Sequence, residues 1–286
     1  MKTILVPTDF SITAQYALDF AYHLAQRTDA KLVITHAVEI PIGGAANPVG
    51  LPVIPEIDAS SFKFMTRRAQ QQMEQLLSVY DNDLVPMVTN IELGSPFLTI
   101  AESINTHNVD MVVMGTHGAS GLKETFLGSN AEKVVRYTSC PVITLKKDAD
   151  PSQMKSIVFA SDFVHLDDQV IMHLKQLQNV LGATIHFVRI NTPNNFQRDR
   201  VIRKFAEAMM NKHMFKDYTI NVYNDLYEED GIANFAESIN ADMLALATHG
   251  RTGLSHLMTG SLAEDLVNHA KRPVWTYHIG QGSKKA

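Results

Sequence analysis

The chain has 286 residues, 45% of them hydrophobic, and a formal net charge of −5; this is room for two ordinary domains with the composition of a folded globular protein. Acids and bases are interspersed without a basic stripe or arm, which speaks against general nucleic-acid binding. Cys140 is the one cysteine, so an intrachain disulfide is excluded, no apolar run approaches a membrane span, and MKTILVPTDFS lacks the long apolar region and cleavage site of a secretory signal. The expectation is a cytoplasmic protein with neither a membrane nor a nucleic-acid partner.

Taken in order, Thr3–Pro7 reads as a short apolar strand, and Ser11–Thr28 carries Ala14, Ala17, Leu18, Ala21, Leu24 and Ala25 at helical spacing. Lys31–Val38 is a second strand, Ser61–Tyr80 a second helix and Leu84–Glu92 a third strand. Gly94–Asn105 holds a third helix and Asp110–Met114 is a fourth strand, after which Gly128–Tyr137 begins a fourth helix and Pro141–Lys146 is a fifth strand. The same order then recurs as Ser156–Ala160, Asp168–Leu181, Thr184–Ile190, Arg198–Phe215, Tyr218–Asn224, Gly231–Asn240, Asp242–Ala247, Leu262–His269 and Pro273–His278. Strands alternating with helices of this length predict an α/β fold with a parallel sheet covered on both faces.

The recurrence is a sequence repeat. TILVPTDF at Thr3–Phe10 matches SIVFASDF at Ser156–Phe163, and AKLVITHAV at Ala30–Val38 aligns with ATIHFVRIN at Ala183–Asn191. AESIN at Ala101–Asn105 is matched to AESIN at Ala236–Asn240, and a glycine-rich stretch follows each copy. Two domains are expected, at roughly 1–147 and 154–280, joined by the short linker Asp148–Gln153. They differ mainly after the second strand, where Pro41–Ser60 is rich in glycine and proline and its counterpart is only Thr192–Gln197.

The glycine stretch carries the chemistry. An apolar strand runs into Gly115-x-x-Gly118, and after nine intervening residues Gly128-Ser129 opens a helix. Glycines let a backbone approach an anion, and the free N–H groups of a helix's first turn face it. Ser129 and Glu132 are spaced as a capping box, as are Ser261 and Glu264. Asp9 follows the first strand and Asp162 is its counterpart; each fits a helix cap, or a carboxylate accepting from a base or ribose at the same sheet edge. No P-loop motif occurs, and no G-x-G-x-x-G opens a helix after the first strand, so a P-loop hydrolase and a dinucleotide-dependent dehydrogenase are poorly supported. His117 and His249 precede motif glycines, but no spacing of histidines or cysteines reads as a metal site. Cys140 reads as a buried structural thiol.

With Ile4–Asp9 (ILVPTD), His36–Val38 (HAV), Gly-x2-Gly-x9-Gly-Ser and Cys140–Val142 (CPV), the chain resembles the universal stress protein family, as a tandem two-domain member, over nearly its whole length. The resemblance implies two open parallel-sheet sandwiches of the adenine nucleotide α-hydrolase-like (Rossmann-like) type, packed as a pseudo-two-fold pair. It implies ATP across the strand ends, with Asp9 and Ala37 at the adenine or ribose. Gly115, Gly118, Gly128, Ser129 and Asn130 would hold ribose and phosphates. Mg²⁺ would accompany ATP, although no acid is visibly dedicated to it. Family members dimerise through the fifth strand; here the two halves can do so within one molecule, and whether two chains form a further homodimer is left open.

The second copy departs from the pattern. Ala247 replaces Gly115, while Gly250, Gly260, Ser261 and Leu262 keep their places beside Asp162. Arg189 and Ile190 replace His36 and Ala37. A weaker second site is therefore expected. Three functions remain open at this stage: a stress-response module that holds ATP and signals its occupancy, a slow ATPase, and an interaction or chaperone-like protein with a vestigial nucleotide site. An ATPase needs a positioned base, and none is evident in the sequence; Lys123, Arg251 and the two loop histidines are no more than candidates.

Overall fold

The computed structural model describes residues 1–39, 59–81, 83–116, 128–249, 266–268 and 270–279. The first half runs β1 (Thr3–Pro7), α1 (Ile12–Gln26), β2 (Lys31–Val38), α2 (Ala59–Leu77), β3 (Met87–Leu93), α3 (Pro96–His107), β4 (Met111–Gly115), α4 (Ser129–Tyr137) and β5 (Val142–Leu145). A short 3-10 turn, Pro151–Gln153, leads into β6 (Ser156–Ala160), α5 (Asp168–Leu181), β7 (Thr184–Asn191), α6 (Asp199–His213), β8 (Tyr218–Asn224), α7 (Glu228–Ser238), β9 (Met243–His249) and β10 (Val274–Ile279). Among the described residues no helix is long and apolar enough to cross a membrane.

The strands form one ten-stranded sheet in the order β3-β2-β1-β4-β5-β10-β9-β6-β7-β8. Neighbours are parallel throughout, except for β5 against β10. Helices cover both faces, as strands buried on both sides require. Alternation decides which face each side chain serves. Ile4 and Val6 of β1 pack with Leu18, Ala21 and Leu24 of α1 and Met73 of α2. Leu5 packs on the other face with Ile100 and Ile104 of α3 and Val134 of α4. Each layer continues into the second half, through Phe159, Phe187 and Leu174 on one face and Val158, Val188 and Leu244 on the other. Full burial of each such side chain is worth about 1.5–3 kcal/mol.

The centre of the sheet carries the symmetry. Val274 pairs with Thr144, Trp275 with Ile143 and Thr276 with Val142. Since β5 and β10 are matching strands, this register is its own mirror about the Ile143–Trp275 pair. The hydroxyls follow it: Thr144 Oγ1 donates to Val274 O at 3.3 Å and Thr276 Oγ1 to Val142 O at 3.4 Å. The expected pseudo-two-fold pairing through the fifth strands is thus realised within one chain. One further tie is one-sided: Arg27, at the end of α1, donates to the carbonyls of Val180 at 3.2 Å and Leu181 at 3.5 Å.

Two expectations need correction. The AESIN pentapeptides are not equivalent in space. An asparagine with positive φ follows each of α3 and α7, Asn108 at 50° as the cap of α3 and Asn240 at 49° one residue past the Ile239 cap of α7. Val109 N donates to Ile104 O at 3.0 Å, and Ala241 N donates to Ala236 O at 2.9 Å. Ile104 therefore matches Ala236, and Ser103 matches Phe235 rather than Ser238. The sequence match is three residues out, close to one helical turn, so the same helix face is kept. The capping box at Ser129 is also absent. Gly128 is the N-cap of α4 and Ser129 its first helical residue, so a serine side chain does not cap this helix. Ser261 and Glu264, and most of Pro41–Ser60, lie outside the described residues.

Candidate functional site

The carboxyl ends of the parallel strands gather the predicted residues at one sheet edge. In the first half the turn after β1 is built from its own side chains. Ser11 N donates to Asp9 Oδ1 at 3.0 Å and Phe10 N to Thr8 Oγ1 at 3.1 Å. The Ser11 hydroxyl accepts from Ala14 N and caps α1. Phe10 sits at φ 62°, a conformation costly for a bulky residue. It is held by β2: His36 Nδ1 donates to Thr8 O at 2.8 Å, and the His36 and Phe10 rings lie 4.5 Å apart. Asp9 is thereby presented, exposed, beside the end of β2, where Ala37 is half-buried.

Gly115 ends β4. A Cβ there would come within 2.7 Å of the Thr13 carbonyl carbon and 2.8 Å of its oxygen. The close approach that requires glycine is thus to the first turn of α1. Past β4, Thr116 N donates to Leu145 O at 3.0 Å, and Gly128 N returns to Thr116 O at 2.7 Å. This places the start of α4 beside the end of β4. Ser129 is exposed and Asn130 half-buried in its first turn, where the backbone N–H groups lack intrahelical partners and favour an anion. Asp9, Ala37, Gly115, Gly128, Ser129 and Asn130 therefore share one edge. Gly118, His117 and Lys123 lie outside the described residues. Among the described residues no three metal-binding side chains come together.

The second half is built differently at the same edge. Asp162 is only 7% exposed and accepts from Val164 N at 2.9 Å, His165 N at 3.0 Å and His165 Nδ1 at 2.7 Å. Burial works to raise its pKa, but the backbone and ring hydrogen bonds from His165 and the one from Val164 outweigh it and hold the carboxyl below its usual range. Arg189, in the place of His36, is 5% exposed and donates to Asn195 O at 3.2 Å. Burial lowers its pKa, opposed by the charges of Asp162 and Glu228. The Asn195 side chain accepts from Thr192 N at 2.7 Å and donates to Glu228. The short Thr192–Gln197 loop thus folds over Arg189.

Two other substitutions are absorbed without touching the cleft. Ile190, bulkier than the Ala37 it replaces, is 1% exposed and packs onto α7 at Gly231, where a Cβ would meet its Cγ2 at 2.5 Å. Ala247 is tolerated because α5 starts later: seven residues, 161–167, separate it from β6, against four, 8–11, between β1 and α1. The counterpart of Thr13 is then Leu166, outside the helix. Gly250, Arg251, Gly260, Ser261 and Leu262 lie outside the described residues, as does the side chain of His249.

A family model described as the universal stress protein family matches residues 1–146 and 227–278. The chain belongs to the universal stress protein family. A universal stress protein of Methanocaldococcus jannaschii is 30% identical over 147 residues, covering 51% of this chain and 82% of that protein. The Bacillus subtilis universal stress protein YxiE is 28% identical over 155 residues, covering 50% of this chain and 97% of that one. A universal stress protein structure from Archaeoglobus fulgidus superposes with a TM-score of 0.76 over 97% of this chain and 98% of its own, at 18% identity, and so shares the fold.

Within this universal stress protein, sequence reasoning missed two polar groups. One is the Arg189–Asn195–Glu228 set, whose one sequence signal was an arginine at a strand end in the place of His36. The other lies under α3 in the first half. Thr35 and Ser103 hydroxyls are 3.3 Å apart, and the Asn90 amide donates to Ser103 Oγ at 3.2 Å and to Glu92 Oε1 at 2.8 Å.

Proposed function

We propose that this protein binds an adenine nucleotide, ATP in the first instance, in its N-terminal half, and serves as a cytoplasmic stress-response module that reports occupancy. The observation that carries this reading is the convergence at one sheet edge of an exposed carboxylate, Asp9, with the first turn of α4. One end suits ribose or base donors, the other suits phosphates. Asp9 and Ala37 would take the base and ribose, and Ser129, Asn130 and the α4 backbone the phosphates. Mg²⁺ would accompany ATP through its phosphates. The C-terminal half would contribute no equal site, because Asp162 spends its hydrogen bonds on His165 and Val164 and Arg189 is turned to the Asn195 carbonyl under the loop.

The test is direct binding. Mass spectrometry of small molecules released from the purified protein identifies the native occupant. Titration calorimetry then counts sites: one ATP per chain is expected, weakened at least tenfold by Asp9→Ala and unaffected by Asp162→Ala. Two equal sites, or a single site lost with Asp162→Ala, would overturn the assignment to the N-terminal half.

A further inference from the structure

We propose that Glu92 sets the base specificity of the N-terminal site, admitting a 6-amino purine and rejecting a 6-oxo one; this rests on the nucleotide reading given above. Ala37 and Glu92 are register partners on β2 and β3, and Thr35 and Asn90 are partners two residues earlier. Directly paired residues on parallel strands share a face, about 4.8 Å apart. That face is the one under α3, because Thr35 and Asn90 both meet Ser103. It is also the face covered by α4. A nucleotide with its phosphates at the first turn of α4 therefore has its base end directed along the strand ends toward Ala37 and Glu92. Three strand spacings, about 14 Å, separate β4 from β3, a span that an extended nucleoside triphosphate reaches.

The polar line is not needed by the fold. In the second half its positions are held by Val188 for Thr35, Tyr223 for Glu92 and Phe235 for Ser103, and the Tyr223 and Phe235 rings lie 5.8 Å apart. Asn221, in the place of Asn90, turns its amide to Phe187 O at 3.0 Å and Thr219 Oγ1 at 2.8 Å. The same strands and helix form around an apolar set, so the hydroxyls and amide of the first half do something other than hold it together. What they do is fix one carboxylate. The two N–H groups of Asn90 go one to Ser103 and one to Glu92 Oε1.

The Asn90 amide thus holds the carboxylate through Oε1, and the remaining acceptor positions of Glu92 serve the base. With the 6-position of the base turned to that carboxylate, the exocyclic amine of adenine donates to it, whereas the 6-oxo group of guanine is itself an acceptor and would face it unpaired.

The experiment is titration calorimetry of the full-length chain with ATP and with GTP, for the wild type and Glu92→Gln. The wild type is expected to favour ATP by at least tenfold. The glutamine amide can turn a donor outward, so the variant should cut the ATP-to-GTP ratio about tenfold while its thermal midpoint stays at the wild-type value. An unchanged ratio in Glu92→Gln, or equal weakening of both nucleotides, overturns the role of Glu92. A wild type that binds both nucleotides equally does the same while leaving the nucleotide site intact. A wild type that binds neither overturns the nucleotide reading itself, and this inference with it.

Discussion

A Cβ on Gly115 would lie 2.7 Å from the Thr13 backbone, so Gly115→Ala must push β4 away from α1. We expect a loss of about 1–3 kcal/mol in urea unfolding with no nucleotide present. Ala247→Gly, at the matching place, should cost under about 1 kcal/mol, the backbone-entropy penalty alone. Equal effects of the two would remove the packing role assigned to the glycine. A second residue-scale prediction concerns Asp162. Its folded pKa lies below the ordinary 3.8 because His165 and Val164 hydrogen bonds outweigh burial. A depressed carboxylate stabilises fully above its unfolded pKa and loses that contribution as pH falls through the folded value. Wild-type stability should therefore fall more steeply below about pH 4 than that of Asp162→Asn. Parallel acid-unfolding curves for the two would remove the basis for a tied-up carboxylate. The groups facing it are His165 and Arg189.

At the scale of elements, the end of α7 is held by a residue from a distant segment. Arg272 Nη1 donates to Ala236 O at 2.8 Å and to Ala241 O at 2.7 Å. Arg272→Ala should cost about 1–2 kcal/mol in denaturant unfolding, with Arg272→Lys recovering only part, since a lysine ammonium sits on a flexible stem and lacks the fixed aim of the planar guanidinium. The elements themselves were largely legible. Asp168–Leu181 and Tyr218–Asn224 fall where the sequence put them, because apolar spacing and flanking turns agree there. Ends were less so: β3 begins at Met87 rather than Leu84, and α7 at Glu228 rather than Gly231, since acids in a first turn extend a helix past its apolar stripe. The deeper miss was the register of the repeat. Identity of AESIN set Ser103 beside Ser238 and so hid that its true counterpart is Phe235. With that, the contrast between a polar and an apolar layer under the two helices disappeared from view. The site edge was readable from Asp9 and the glycines, because strand ends collect residues that sequence order scatters. The closing of the second cleft was not, because it depends on a loop carbonyl and an asparagine side chain meeting Arg189.

For the whole molecule, Trp275 stands at the middle of the sheet, fully buried, with Ile143 opposite. Among the described residues its indole Nε1 has no hydrogen-bond partner. Trp275→Phe removes that buried donor together with some volume and should change stability by less than about 2 kcal/mol. Trp275→Ala should cost about 3–5 kcal/mol, and a single cooperative transition is expected in both variants because the two core layers run through both halves. Two separate transitions in calorimetry of the wild type would contradict a shared core.

The self-matching register of β5 and β10 has a consequence for how the two halves can change. Two separate copies of one half, joined at this edge, would have to meet at a concentration set by the cell, and every substitution would appear on both sides. Joined by a few residues, the edges meet at an effective concentration in the millimolar range or above, whatever the amount of protein. Identity across the axis is also no longer required, as tryptophan facing isoleucine shows. The C-terminal half was thus at liberty to fill its cleft with arginine, asparagine and glutamate and still keep its partner. A pair of this kind holds a site that differs from its neighbour, in fixed proportion of one to one, at any dilution.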